Sequence, residues 1–224
     1  MKAMLLAAGL GTRMRPLTDH TPKPLLPVAG KPLLAWHLER LAAAGISDVV
    51  INCAWLGEQI EAFVGDGSSF GLHIKISREA QPLETGGGIF RALPLLGNDE
   101  FIVISSDVWT DYPLQNLLSI KTRRGHLVMV DNPAHLAQGD FYRAANGGLN
   151  ERGDGEKLTY SGIAVLHPDF FRGCSDGVFP LRPLLQRAMA EKLLTSEHYR
   201  GEWIDVGTPE RLRAAERLAL AGAG

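Results

Sequence analysis

LLAAGLGTRMRPLTDHTPKPLLPVAGKP, running from Leu5 to Pro32, begins inside an apolar run, Met1–Leu6, that predicts a buried strand. It continues as a Gly- and Pro-rich loop from Ala8 to Gly30. Gly9 and Gly11 let the backbone approach a ligand closely, and exposed N–H groups there, together with Arg13, form a concavity suited to phosphate. Lys23 stands between Pro22 and Pro24, whose rings fix two φ angles, so a long cation is offered from a stiff loop. The stretch is not a dinucleotide fingerprint, because the third glycine would fall at Met14 and no acidic residue follows at a strand end about 20 residues on. Nor is it a Walker A loop, since Gly30-Lys31 is followed by Pro32 and lacks the earlier glycine.

Beyond the loop, strand and helix patterns alternate. Pro32 suits a first helical position, Leu33, Leu34, Trp36, Leu38 and Leu41 supply an apolar face that places Trp36 in the core, and Gly45 closes the helix. Asp48–Asn52 then reads as a strand, Leu56–Val64 as a helix, Leu72–Ser77 as a strand, Gly86–Leu93 as a helix and Phe101–Ser105 as a strand. This alternation predicts an α/β fold with a Rossmann-like, mostly parallel sheet and helices on both faces. After residue 120 the rhythm degrades. His126–Val130 and Leu158–Leu166 read as strands, whereas 131–157, rich in Gly, Asn and charge, reads as a lid-like insertion within one domain spanning 1–224. Thr208 is a good N-cap with Pro209 behind it, opening an amphipathic helix over Pro209–Leu220.

Apolar residues make up 45% of the chain and charged ones 21%, which excludes a disordered or fibrous protein. With 23 basic and 25 acidic residues no global field draws it to nucleic acid, and no apolar run of about 18 residues could span a membrane. Cys53 and Cys174 are too few and too separated for a disulfide scaffold, so a reducing, cytoplasmic setting is expected. The seven histidines lack zinc-type spacing.

Asp107 ends the run FIVIS, and the carboxyl end of a parallel strand is where open α/β sheets bind ligands. Asp205 precedes Thr208, which already serves as the cap, so its carboxylate is free for another task. Two carboxylates distant in sequence can share one Mg²⁺, with Asp111 held in reserve. Gly67–Gly71 matches the hydrolase nucleophile pattern formally, but the strand-then-helix order that motif needs is reversed here, so Ser69 reads as a loop residue.

The loop pair LAAGLGTRMRPLT and PKPLLPVAGKP, LETGGG at Leu83–Gly88, the strand-ending Asp107 and WIDVGTPERL at Trp203–Leu212 together resemble the sugar-phosphate nucleotidyltransferases over most of the chain. The resemblance implies transfer of a nucleotidyl group from a nucleoside triphosphate to a sugar 1-phosphate, with pyrophosphate released. It implies Arg13 and Lys23 as catalytic residues and Mg²⁺ on Asp107 and Asp205. The nucleotide would lie against Ala8, Gly9, Gly11, Thr12, Arg13, Lys23, Gln81, Thr85, Gly86 and Ser105. UTP is the expected donor, its uracil edge read by the Gln81 amide and the Thr85–Gly88 backbone.

In short length, LETGGG and SDVWTDY the chain resembles those family members that take N-acetylmuramic acid 1-phosphate as acceptor, and this resemblance implies a place in recycling of cell-wall precursors. The lactyl carboxylate of that sugar needs room and a cation. Residues 138–160 are the expected wall, with Asp140, Glu156 and Tyr160 as acceptor-binding residues and Arg143, Arg152 and Lys157 as candidate carboxylate partners. Another acceptor (glucose, mannose or N-acetylglucosamine 1-phosphate, or phosphocholine) and a non-catalytic nucleotide-sensing module stay open as alternatives. Ser105-Ser106 departs from the Asn-Gly pair that many relatives carry, which bears on backbone approach at Ser106.

Overall fold

A computed structural model describes residues 1–153 and 155–221. In chain order the elements are β1 (Lys2–Leu6), β2 (Pro27–Val28), β3 (Lys31–Pro32), α1 (Leu33–Ala43), β4 (Asp48–Cys53), α2 (Gly57–Val64), β5 (His73–Arg78), α3 (Glu84–Leu96), β6 (Phe101–Ser105), β7 (Val108–Thr110), β8 (Gly125–Val130), β9 (Phe141–Arg143), β10 (Leu149–Asn150), β11 (Glu156–Leu166), α4 (Arg182–Ala190), β12 (Leu194–Tyr199), β13 (Trp203–Asp205) and α5 (Pro209–Ala221).

Among the described residues, nine strands form the main sheet. Its path runs β10-β9-β11-β6-β1-β4-β5, and β8 lies on the other side of β11 with β12 beyond it. Strands β6, β1, β4 and β5 are mutually parallel, as the alternation predicts, and β11 enters antiparallel to β6 and β8. Strand β1 decides the layering. Ala3 and Leu5 point into a core shared with Leu34, Leu38 and Leu41 of α1 and Ile60 and Val64 of α2, whereas Met4 points into a second core with Ile89, Ala92 and Leu96 of α3 and Leu184, Leu185 and Ala188 of α4. A third cluster, with Met14, Val28, Leu33, Trp109, Val206 and Ala215, fastens the long loop and α5 to the body. Trp36 packs on this cluster half-buried, its Nε1 donating to the Val28 carbonyl at 3.0 Å.

Two expectations change in detail. Pro32 is the residue before α1 and pairs in the β2–β3 hairpin, since its ψ of 138° is extended. Helix α3 starts at Glu84 and runs through Pro94 to Leu96, because burial of Leu96 at its last turn holds the helix past the proline. Within the segment read as a lid-like insertion, β9 and β10 form a short hairpin that continues the sheet along the first half of β11, and the rest is turn and loop. A bulge between Tyr160 and Ile163 bends β11 where this extension begins, with Gly162 at φ 81°.

Candidate active site

Strand β1 lies between β4 and β6, so the direction of winding reverses beside it. Leu6 and Ser105 are register partners at the carboxyl ends of β1 and β6, the edge at which ligands of such sheets bind. Two cavities open there, of about 430 Å³ and about 410 Å³, and share Leu6, Thr85, Ser105 and Asp107 in their walls.

The first cavity is walled by the glycine-rich loop. Ala8, Gly9, Gly11, Thr12, Arg13, Lys23, Thr85 and Ser105 all line it, together with Asp107. Gly11 has φ 63° and precedes a turn in which the Met14 N–H donates to the Gly11 carbonyl at 2.8 Å; a Cβ there would lie 2.9 Å from Thr18 Cγ2. Gly9 has no heavy atom within 4 Å of where a Cβ would be, so it leaves open space beside the cavity.

Behind the loop, a buried carboxamide–carboxylate pair fixes the wall. Asn52 Oδ1 accepts the Ala7 N–H at 2.9 Å, Asn52 Nδ2 donates to Glu79 Oε1 at 2.7 Å, and Glu79 Oε2 accepts the Leu83 N–H at 2.9 Å. The start of the loop is thereby tied to the start of α3. The sequence reading missed Asn52, Glu79 and Glu84, all of which line this cavity. Glu84 carries φ 58°, a left-handed conformation for a non-glycine residue beside a cavity.

Two members of the expected nucleotide set do not line either cavity. Gln81 is exposed outside both walls. Gly86 is buried, and a Cβ on it would meet Phe179 Cδ2 at 2.6 Å; Gly87 would meet the Gly177 carbonyl at 2.2 Å, and Gly88 would meet Asn52 Nδ2 and Glu79 Oε1 at 2.7 Å. At each of these three glycines a side chain would collide with the protein's own atoms. Ser106 is also explained: its hydroxyl donates to the Leu6 carbonyl and its side chain is buried.

Lys23 opens a 3-10 turn, Lys23–Leu25, and its side chain is only 11% exposed. Its Nζ lies 2.6 Å from Asp107 Oδ2, so it is held against the strand-end carboxylate, not freely presented from the loop. Strands β7 and β13 bring the second carboxylate close: Val108 pairs with Asp205, and the Val206 N–H donates to the Asp107 carbonyl at 2.7 Å. Asp205 lines the second cavity with Asp107, and is held by Arg211 Nη1 at 2.8 Å and His135 Nε2 at 2.8 Å. Asp111, the reserve candidate, lines neither cavity and instead accepts from the Tyr199 hydroxyl. Ser69 sits exposed in a 3-10 turn after α2, away from both.

Asp140 and Tyr160 line the second cavity, as does Trp203. Asp140 Oδ2 accepts the Tyr160 N–H at 3.0 Å, and burial pushes the Tyr160 hydroxyl well above its ordinary pKa, so it stays a neutral donor. Glu156 is not in the wall. It lies at the far end of β11, where His198 bridges it (3.3 Å) and Asp131 (2.8 Å). Arg143 reaches toward the Ser196 carbonyl and Lys157 covers the Tyr142 ring, so neither faces the cavity, and Arg152 is exposed outside it.

A glycine-rich backbone loop at the end of β1, a lysine on a strand-end carboxylate and a second cavity sharing that carboxylate fit a nucleotidyltransferase. The chain belongs to the nucleotidyl transferase family, whose model matches residues 2–137. It is 48% identical to N-acetylmuramate alpha-1-phosphate uridylyltransferase of Neisseria meningitidis serogroup B, across 98% of both chains. To the enzyme of the same name from Caulobacter vibrioides it is 37% identical, across 98% of this chain and 97% of the relative. Its fold matches a Bacillus anthracis structure described as a glucose-1-phosphate thymidylyltransferase with sucrose, at a TM-score of 0.84 and 22% identity over 98% of this chain and 95% of that one. As an enzyme of this family it transfers nucleotidyl groups to sugar 1-phosphates.

Proposed function

We propose that the protein transfers the uridylyl group of UTP to N-acetylmuramic acid 1-phosphate, giving a UDP-sugar and pyrophosphate, in the cytoplasm and in the service of peptidoglycan recycling. The observation that carries this reading is the pair of cavities meeting at Asp107, one walled by the glycine-rich loop and one by side chains from the β9–β11 extension. The two full-length relatives named for this reaction support the choice of donor and acceptor.

The chemistry asks little of acid–base catalysis. A sugar phosphate has a second pKa near about 6, so its attacking oxygen is already largely ionised at neutral pH. The difficulty is to hold two repelling anions in line and to neutralise charge on the α-phosphate and the departing pyrophosphate. Loop N–H groups at Gly9 and Gly11 and the exposed Arg13 suit the triphosphate, and Lys23 stands where the two cavities meet. Thr12, Ala8, Thr85 and Ser105 complete that wall.

Asp107 and Asp205 suit Mg²⁺ as hard oxygen donors on the shared edge, where the ion would share one carboxylate with Lys23 and the other with Arg211. When bound there, the ion supplies neutralisation of phosphate charge. On the acceptor side, Tyr160 offers a neutral hydroxyl and Asp140 a carboxylate.

Pyrophosphate release over a panel of nucleoside triphosphates and sugar 1-phosphates tests the reading. UTP with N-acetylmuramic acid 1-phosphate should give the highest kcat/KM. Faster turnover with GTP or ATP, or with N-acetylglucosamine 1-phosphate, would overturn the donor or the acceptor assignment respectively.

A further inference from the structure

We propose that Arg182 is a specificity-determining residue that pairs with a carboxylate carried by the acceptor sugar; this rests on the acceptor reading above and names the residue that enforces it. Among the described residues, Arg182 is the only cationic side chain lining the second cavity, whose wall also contains Asp107, Asp140 and Asp205. An acceptor with a carboxylate beyond its phosphate brings extra negative charge to a wall already rich in it. That carboxylate needs a fixed cation, and the wall offers one.

The geometry keeps this cation in place without using it up. Arg182 is the first residue of α4, and Pro180, Leu181 and Leu185 around it also line the cavity, so the helix start faces the space. Its guanidinium lies 5.1 Å over the Phe141 ring and its Nη1 is 3.5 Å from Asp140 Oδ1. That single long ion pair and a side chain 55% exposed leave most of the planar fork free to meet a carboxylate through two parallel N–H···O bonds. Asp140, pinned through its other oxygen by the Tyr160 N–H, acts as a positioning residue for Arg182. By contrast, Lys23, Arg211 and His135 face the carboxylates of the shared edge. A simple hexose 1-phosphate gives Arg182 nothing to read.

The test measures kcat/KM for N-acetylmuramic acid 1-phosphate and for N-acetylglucosamine 1-phosphate, which lacks the lactyl carboxylate, in the wild type, Arg182→Ala and Arg182→Lys. The ratio between the two acceptors should collapse by about 10- to 100-fold in Arg182→Ala, chiefly through KM of the carboxylated sugar, as expected for loss of a charge-assisted hydrogen bond made in ground and transition states alike. Arg182→Lys, which keeps charge without the fork, should fall between. Thermal melting checks that both variants fold. A wild type that favours the muramic sugar but a ratio unchanged within threefold in Arg182→Ala overturns the role of Arg182 alone. A wild type that favours N-acetylglucosamine 1-phosphate overturns the acceptor reading and this inference with it.

Discussion

The two cavities are built by opposite means. The first takes its phosphate-facing wall from backbone: the turn at Gly11, the open space at Gly9 and the prolines around Lys23 lie within one continuous stretch of chain. The second takes its shape from side chains that arrive separately on β11, α4, β13 and the turn before β9. A backbone-built anion site tolerates many nucleotides, because it addresses the phosphates every donor carries. A side-chain-built site discriminates, because each wall residue can be exchanged without disturbing the loop.

Substitutions on each side should therefore fail differently. The largest effect belongs to Lys23→Ala, which should lower kcat by roughly 10²–10³ while changing UTP affinity much less, since its charge matters most as charge redistributes at the α-phosphate. Near-normal kcat in steady-state assays would remove Lys23 from the catalytic account.

Next comes Gly87→Ala, whose Cβ would sit 2.2 Å from the Gly177 carbonyl; it should destabilise the fold by about 1–3 kcal/mol, read as a lower denaturation midpoint. Gly9→Ala, facing open space, should leave that midpoint unmoved. If Gly87→Ala melts like the wild type but loses UTP, the LETGGG glycines serve the nucleotide after all. Asp107→Asn should raise the Mg²⁺ concentration for half-maximal rate by about tenfold, because a carboxamide is a weaker ligand for a hard cation. An unchanged Mg²⁺ titration would move the metal elsewhere. Smallest is Tyr160→Phe, expected to raise KM for the acceptor by about threefold, the cost of one neutral hydrogen bond, with KM for UTP unchanged.

The same contrast explains what could be read from sequence. Gly9, Gly11, Pro22 and Pro24 constrain backbone locally, so the loop is legible where it stands, and alternating apolar runs mark β1, β4, β5 and β6 as strands of a parallel sheet. The Lys23–Asp107 pair, 84 residues apart, and the Asn52–Glu79 bridge are set by register between strands that no local pattern encodes. Gly86–Gly88 is ambiguous in sequence for a related reason: a glycine making room for a ligand and one making room for a neighbouring segment look alike until the neighbour, here Phe179 and Gly177, is in place. Glu156, read as part of the insertion, is instead the first residue of β11, outside the stretch of that strand that lines the cavity with Tyr160. Arg182 hides in a segment, 167–182, whose Pro and Gly content gives no periodicity to read.

The division of labour between the cavities is tested most directly by the equilibrium dissociation constant of UTP, with Mg²⁺ present, in Gly9→Val and Tyr160→Ala. The first places side-chain bulk in the loop-walled cavity alone and the second alters only the side-chain-walled one. Gly9→Val should weaken UTP by about tenfold or more, the cost of overfilling a site, while Tyr160→Ala should bind UTP within about twofold of wild type even as its turnover falls. UTP binding that survives Gly9→Val, or that falls as far in Tyr160→Ala, would contradict the assignment of donor and acceptor to the two cavities.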